Sequence, residues 1–496
     1  MSNLLRPQYE QPGVQPASDS GAFSRAIATA GVWIGAATGQ RTSRPAVRAL
    51  HRSAGVVGAA LLLCVSAPVL AQADPQPIED RPTGLPKKLS WTFNFDAAWG
   101  TFGFGNSLYT NSHPDPSGDL SDSWFEGWVK PALSASYALG KGEVYGKLSV
   151  VGERTYGVAP SLVGEDASSF LQEDLYIGWR SGKSMGNTEN LLDFTVGRAP
   201  YKIGHGFLVW DGGGEGGSRG GFWSNARKAW QFAAVGRFKP KSHTIETFYL
   251  DRDEVPESDT GSSLTGINYE FAGLKNSTFG ATWIESFAEN GILPDRDQMN
   301  VFSARAYTAP IRRVPDLSFE LEYAYEENGD LLKATGWSAQ GAYQLSKVGW
   351  TPKISYRYAY FGGDDPNTAK NEAFDPLFLG FYDWGAWWQG EIAGEYFLAN
   401  SNNISHQFRV HLTPADAIGW GAMLYLFSLP EPGSFGAGAT SDDVALEFDA
   451  YADWKINSNF LLSVVAAFSD PHAAVEQAFG RTDNFTYGML YLAYSY

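Results

Sequence analysis

From Lys88 onward, apolar and polar residues alternate one by one over segments of about 10 to 14 residues, and clusters of Gly, Asn, Asp, Pro and Ser part the segments. That period belongs to β-strands whose two faces meet different surroundings. Leu317, Phe319, Leu321, Tyr323 and Tyr325 alternate with Ser318, Glu320, Glu322 and Ala324, and Ile354, Tyr356, Tyr358 and Tyr360 with Lys353, Ser355, Arg357 and Ala359. Phe408, Val410 and Leu412 alternate with Ser405, Gln407, Arg409 and His411 in the same way. The pattern predicts strands over 88–104, 123–139, 142–156, 168–180, 190–202, 227–238, 243–251, 263–273, 277–288, 299–309, 316–326, 334–346, 350–361, 403–413, 416–429, 442–455, 459–469 and 484–496.

The connections carry the next step. They run alternately long and short nearly throughout, with a medium link at 181–189 and a moderate one at 327–333: 105–122 is followed by Gly140-Lys141, 203–226 by Lys239-Pro-Lys-Ser242, and 252–262 by Leu274-Lys-Asn276. Barrels of the bacterial outer membrane have short periplasmic turns, long external loops and both termini on the periplasmic side. Gln389 to Ala399 has some strand character, but counting it gives nineteen strands and puts the long 430–441 connection on the short-turn side. Treating 362–402 as one external loop leaves eighteen. Past residue 73 no run of 18 apolar residues occurs, so a membrane-spanning form of this chain must be a closed sheet, because an unpaired backbone N–H or C=O in hydrocarbon costs several kcal/mol. The expected fold is all-β: an antiparallel up-and-down transmembrane β-barrel of about 18 strands. Its last strand places Gly488, Leu490, Leu492, Tyr494 and Tyr496 on one face and ends on an aromatic residue, the form of address read by the barrel-assembly machinery.

Residues 1–73 are expected to be an N-terminal extension and cleaved signal peptide. Arg41, Arg44, Arg48 and Arg52 precede the apolar stretch Ala54 to Ala71, which closes on Ala71-Gln-Ala73 in the order of a secretory leader. Residues 74–87 then form a short periplasmic leader and 88–496 the barrel. The 496-residue chain has 37 basic and 54 acidic residues; the leader removes six basic and two acidic ones, leaving 31 and 52, a net charge of −21. Cys64, the single cysteine, goes with it, which excludes disulfide or thiol chemistry in the mature chain. Nucleic acid is excluded as a partner, since phosphate binding needs clustered Lys and Arg. The expected partners are outer-membrane lipids, a polysaccharide or small polar solute, the assembly machinery, and periplasmic partners.

Phe194-Thr-Val-Gly-Arg198, then Tyr201-Lys-Ile-Gly-His-Gly-Phe207, resemble the alginate export family of outer-membrane proteins. So do Tyr356-Arg-Tyr-Ala-Tyr360 leading to Gly362-Gly-Asp-Asp365, the stretch Asn402 to His406, Pro414, and Glu447-Phe-Asp449. The resemblance implies an eighteen-stranded barrel that passes polysaccharide outward, with loops partly closing the pore. One feature departs from it. A polyuronate exporter is expected to line its constriction with cations, yet with the apolar face outward the lumen receives both signs. Lys147, Arg180, Arg237, Arg305, Lys353, Arg357 and Arg409 point in, as do Glu143, Asp174, Glu320, Glu322, Glu447, Asp449 and Asp453. Because the basic set comes mostly from the third, fourth, sixth, tenth, thirteenth and fourteenth strands and the acidic set from the eleventh and sixteenth, opposed walls of charge are expected.

The expected pore-lining residues are Arg198, Arg357, Arg409, Arg237, Arg305, Lys353, Glu320 and Glu322. Arg198 is singled out by a conflict: it shares parity with the outward Phe194 and Val196, so either the strand bulges there or Arg198 sits at the water interface. The bland reading of each inward Arg is an ion pair that stiffens the wall. Loop 203–226, with Gly212-Gly-Gly214, Gly216-Gly217 and Gly220-Gly221, lacks the Lys-Ser/Thr of a phosphate cradle and reads as a flexible loop or a gate. In loop 362–402, Trp384, Trp387 and Trp388 with Asp364 and Asp365 are candidates for gating and for stacking on sugar rings. Catalysis has no support: the histidines beyond His51 are scattered without metal-ligand spacing, and Ser405 and His406, as strand neighbours, face opposite ways. No cofactor is expected. The function that follows is a passive outer-membrane channel, for export of an alginate-like polysaccharide or passage of related polar solutes. The alternative is an uptake porin for sugars or organic and aromatic acids, and a structural barrel or adhesin is a third class.

Overall fold

The computed structural model describes residues 89–107, 121–157, 159, 166–185, 188–311, 313–387, 389–436 and 438–496; the expected signal peptide and leader lie outside them. Eighteen strands follow in chain order: β1 (Leu89–Gly105), β2 (Asp122–Leu139), β3 (Gly142–Gly157), β4 (Ala167–Arg180), β5 (Leu192–Pro200), β6 (Ala229–Phe238), β7 (His243–Asp251), β8 (Ser262–Leu274), β9 (Ser277–Ala288), β10 (Met299–Thr308), β11 (Leu317–Asn328), β12 (Leu332–Gln344), β13 (Lys353–Phe361), β14 (Asn403–Ala415), β15 (Ile418–Ser428), β16 (Asp443–Lys455), β17 (Phe460–Pro471) and β18 (Phe485–Ser495). Among the described residues a short α-helix, α1 (Ala473–Phe479), lies in the last external loop.

Every strand pairs antiparallel with its neighbours in sequence, and β1 also pairs with β18. At that seam Phe95 and Tyr496 exchange two backbone hydrogen bonds of 3.1 and 3.0 Å. The sheet therefore has no free edge, as the hydrocarbon environment demands. Turns at 140–141, 275–276 and 416–417 mark the periplasmic rim, which also carries the longer link 181–191, and the longest connections, such as 201–228 and 362–402, lie at the opposite one.

The alternation is realised side chain by side chain. On β11, Leu321 and Tyr323 are 49% and 46% exposed while Glu322 between them is 6% exposed. Ile354 and Tyr356 on β13, and Phe408 and Val410 on β14, likewise face outward while Ser355, Arg357, Ser405 and Gln407 are buried inside. With Phe125, Leu133, Phe170, Leu175 and Leu490 they form an apolar belt around the wall. An outward belt of this extent is what a lipid-facing barrel wall requires.

The strand edges shift by a few residues from those expected. The twelfth strand begins and ends two residues early, and the thirteenth starts at Lys353 rather than 350, because Trp350 and Thr351 turn through φ 66° and 38° and Pro352 has no N–H to donate to a ladder. Within 362–402 the strand-like stretch 389–399 is not a strand; Ala393–Phe397 makes one turn of π-helix.

Candidate functional site

The bore is largely filled by the chain's own loops. The connection 201–228, between β5 and β6, and the connection 362–402, between β13 and β14, are mostly buried and are knitted to each other. Phe378 N–H donates to the Leu208 carbonyl at 2.9 Å, Trp210 N–H to Phe378 at 2.8 Å, and Gly380 N–H to Gly206 at 2.9 Å. Phe207, Leu208, Val209, Leu377, Phe378 and Trp387 then pack with Trp230, Leu250, Leu264, Val301 and Phe361, which point inward from the wall. A second apolar cluster joins Trp384, Ile392, Phe397 and Leu398 to Tyr425, Phe427 and Val465 of the wall and to Val475 of α1. The expected partial closure of the pore by loops goes deep enough that several strands are apolar on both faces, because one meets lipid and the other meets loop.

A charged knot fastens the first loop. Gly197 adopts φ 119°, where a Cβ would stand 2.4 Å from the Leu175 carbonyl oxygen, and the β5–β6 register shifts between Gly197 and Ala199. This bulge turns Arg198 inward, resolving the parity conflict. Arg198, Arg219 and Arg227 all donate to the Asp253 carboxylate, Arg219 at 3.1 Å. Asp253 also exchanges backbone hydrogen bonds with the loop, accepting from Gly214 N–H at 2.7 Å and donating to Gly212 at 2.9 Å. Burial alone would raise the Asp253 carboxyl, but Arg227, Arg198 and Arg219 outweigh it and hold it below the ordinary carboxylate range. Glu215 goes the other way, raised first by burial and then by the nearby Glu153 charge.

The second loop is held to the wall through carboxyl groups. Glu447 accepts the N–H groups of Ile392 and Ala393 at 2.9 and 2.7 Å, and Asp449 accepts that of Glu391 at 3.3 Å. Gly390 has φ 89° and lies so close that a Cβ would stand 2.4 Å from the Glu447 carboxylate. Glu391 is pushed up to about 8 by burial and then by Asp449, and Glu395 to about 8 by burial and then by Glu391 and Glu126. In the released loop both would ionise near 4.5, so packing is favoured fully at acid pH and weakens as pH rises through about 8. Gating noise in single-channel records is therefore expected to grow between about pH 5 and 9, and Glu391→Gln with Glu395→Gln to flatten that dependence. Noise that falls with rising pH, or an unchanged dependence in the double variant, would contradict this.

Most of the expected pore cations are tied to carboxylates. Arg237 donates to Glu246 at 2.8 Å, and Arg305 to Glu270 and Asn268 at 2.6 Å each and to Thr282 at 2.9 Å. Lys147 and Arg180 pair with Asp174 and Glu143 at 2.9 and 3.0 Å, and Glu322 accepts from the Tyr307 hydroxyl. Arg198 is likewise locked on Asp253 rather than free in the pore. Arg357 is 2% exposed, donates to the Gly385 carbonyl and lies 5.4 Å from the centre of the Trp387 ring. The expectation of opposed walls is also corrected. The β13–β14 strip of Lys353, Arg357, Arg409 and His411 is flanked, two strands away on each side, by acidic β11 and β16.

A polar cluster with a partly exposed histidine lies beside the loops. The His205 ring, 36% exposed, stacks on Tyr307 at 3.9 Å, leans on Tyr382 at 4.7 Å and contacts Glu320 at 3.3 Å. The Tyr382 hydroxyl donates to the same Glu320 carboxylate at 3.3 Å. Arg409 donates to Asp383 at 2.5 Å and to the Tyr451 hydroxyl, which also meets His411 at 2.9 Å. Asp383, which burial would raise, is held below the ordinary carboxylate range by Arg409. Lys353, half-buried between these groups, has no carboxylate within 4 Å among the described residues. Of this cluster, Glu320, Lys353 and Arg409 are expected from sequence as pore-lining and Tyr382 as one of the aromatics of loop 362–402; His205 and Asp383 are not, although His205 stands inside the Gly204-His-Gly206 motif.

The aromatic platform needs correction. Trp384 is buried and donates to Asp453 at 2.8 Å, and Trp387 is buried and donates to the His205 carbonyl at 2.9 Å. Their faces are consumed by packing rather than offered to a sugar. Trp388 lies outside the described residues. Asp364 and Asp365 sit at the outer mouth and close turns, accepting the N–H groups of Glu372 at 3.2 Å and Asn367 at 2.9 Å.

No family profile and no curated protein matches this chain. Solved structures do. Acinetobacter baumannii OccAB1 superposes with a TM-score of 0.52 at 9% identity, over 82% of this chain and 96% of that one. Pseudomonas aeruginosa OccK5 (OpdH) gives 0.50 at 12% identity, over 81% and 97%. The likeness is one of fold: the chain is a closed eighteen-stranded antiparallel barrel of the bacterial outer-membrane type. The resemblance to the alginate export family finds no counterpart in these comparisons.

Proposed function

We propose that the chain is a passive channel for uptake of small polar organic solutes, rather than an exporter of polysaccharide. The observation that carries this reading is the mutual knitting of the Gly206–Trp210 and Phe378–Gly380 segments inside the barrel. Eighteen strands would otherwise enclose an aqueous channel, and a constriction held by backbone hydrogen bonds and an apolar core does not yield to a stiff polymer chain. A small solute needs no such yielding. Lys353, Arg409, Asp383, Glu320 and His205 offer donors and acceptors of both signs along the remaining passage, suiting sugars and organic acids that carry hydroxyl and carboxylate groups.

The test is permeation of proteoliposomes by a graded series: a monosaccharide, a small aromatic acid, a monouronate and a uronate oligomer. The first three are expected to enter at measurable rates and the oligomer to be excluded. Lys353→Gln is expected to slow the acids more than the monosaccharide. Entry of the oligomer as fast as the monouronate would return the export reading to first place.

A further inference from the structure

The periplasmic turns repeat one arrangement that neither the lumen nor the strand ladder uses. Leu139 closes β2 just before Lys141, Leu274 closes β8 just before Lys275, Ile311 stands two residues from Arg313, and Lys347 is followed by Val348 and Trp350. These five apolar side chains are 44% to 56% exposed, and the basic ones beside them are exposed too. Lys239 and Lys241 add two further cations in the β6–β7 turn. Among the described residues of these turns the acidic ones are Glu189, Asp316 and Asp416, and Asp316 accepts from the Ser346 hydroxyl at 2.7 Å. The sign inverts at the outer rim, where Glu257, Asp259, Glu289 and Asp330 are exposed.

We propose that the periplasmic rim is a binding surface for anionic phospholipid of the inner leaflet. Lys141, Lys239, Lys241, Lys275, Arg313 and Lys347 meet headgroup phosphates, while the apolar residues beside them enter the acyl region. A basic rim alone would attract any polyanion. The exposed leucines, Ile311, Val348 and Trp350 decide between partners, because a water-soluble polyanion gives them no cover and an amphiphile does. Their position supports the same choice. Leu139 and Leu274 end strands that carry the lipid-facing belt, and their lysines come next in the turn, the order expected where a membrane surface passes between them. Lysine stems reach a phosphate plane from such a depth, and Trp350 is of the type that sits at headgroup level.

The experiment uses the mature barrel in nanodiscs holding equal amounts of phosphatidylglycerol and phosphatidylcholine of one chain length, with retained lipid counted by native mass spectrometry. Phosphatidylglycerol is expected to be enriched about threefold or more at low salt and to approach parity at high salt. Changing Lys141, Lys239, Lys241, Lys275 and Lys347 together to Gln is expected to abolish the enrichment. The matching five-arginine variant, which keeps the charge, is expected to preserve it. Trp350→Ser is expected to lower retention of both lipids. Enrichment equal in the Gln variant and the native chain would overturn the proposal. So would binding of the native chain to purified peptidoglycan that the Gln variant loses while its phospholipid enrichment stays unchanged.

Discussion

Replacing Asp253 by Asn is expected to release loop 201–228 from the wall without opening the barrel. Asp253 is the acceptor shared by Arg198, Arg219 and Arg227, and it is buried. Removing its charge leaves three guanidinium groups close together in a poorly solvated site. Breaking a buried pair by deleting one partner costs about 3–5 kcal/mol, and here three cations share the loss. Glu173, 3.8 Å from Arg227, recovers a part of it. The hydrogen-bonded ladder of the strands does not pass through Asp253, so heat-resistant migration on a gel is expected to survive. The loop's own contacts are what give way: protease nicking between Gly212 and Gly221 in proteoliposomes is expected to appear, and mean conductance to rise. Arg219→Met is expected to act in the same direction but more weakly, because Arg198 and Arg227 stay on the carboxylate. An Asp253→Asn variant with native conductance and no nicking would show that the knot does not hold the loop.

Excising 362–402 is expected to have the larger effect on transport. Phe361 and Asn403 are register partners across β13 and β14, so an Asn-Gly pair can close the hairpin as a two-residue turn. The excision removes one half of the constriction and uncovers Phe207, Trp230 and Leu250 on the other. Each apolar side chain so exposed costs about 1.5–3 kcal/mol, paid by the lumen packing rather than by the strands. The barrel is expected to insert, with single-channel conductance several-fold above native and with uronate oligomers now permeant. Unchanged conductance after excision would mean that loop 362–402 does not obstruct the passage.

How much of this was legible in the sequence follows from which solvent wrote each pattern. Lipid imposes a strict rule on every second residue, so Leu321 against Glu322 and Phe408 against Gln407 could be read directly, and the alternation of long and short links gave the strand number. Arg198 was legible as a contradiction, because its parity with Phe194 and Val196 left a bulge as one of two readings. The inward fold of the loops was legible only as what the family resemblance implies and as the gate reading of 203–226 and 362–402; no residue pattern shows how deeply they pack. Val209 and Phe378 meet across 169 residues of chain, and glycine-rich or aromatic loops without periodicity look alike whether they wave in water or line a core. Trp384 and Trp387 illustrate this: a sugar platform and a buried plug use the same residues. One signal was present. Phe248 and Leu250 alternate with Ile245, Thr247 and Tyr249 in a strand apolar on both faces, and a barrel strand facing open water on the inside has no reason to be so.

The measurement that bears most directly on the central claim, that two knitted loops narrow an eighteen-stranded barrel to a passage for small solutes, is polymer exclusion in planar bilayers. Neutral polyethylene glycols of graded size are added to the native channel while its conductance is recorded. A polymer that enters the bore lowers the current, and one that is excluded does not. The native channel is expected to exclude all but the smallest polymers, with the cut-off moving to much larger ones once 362–402 is removed. A native channel that admits polymers as large as those entering the excised barrel would contradict the account.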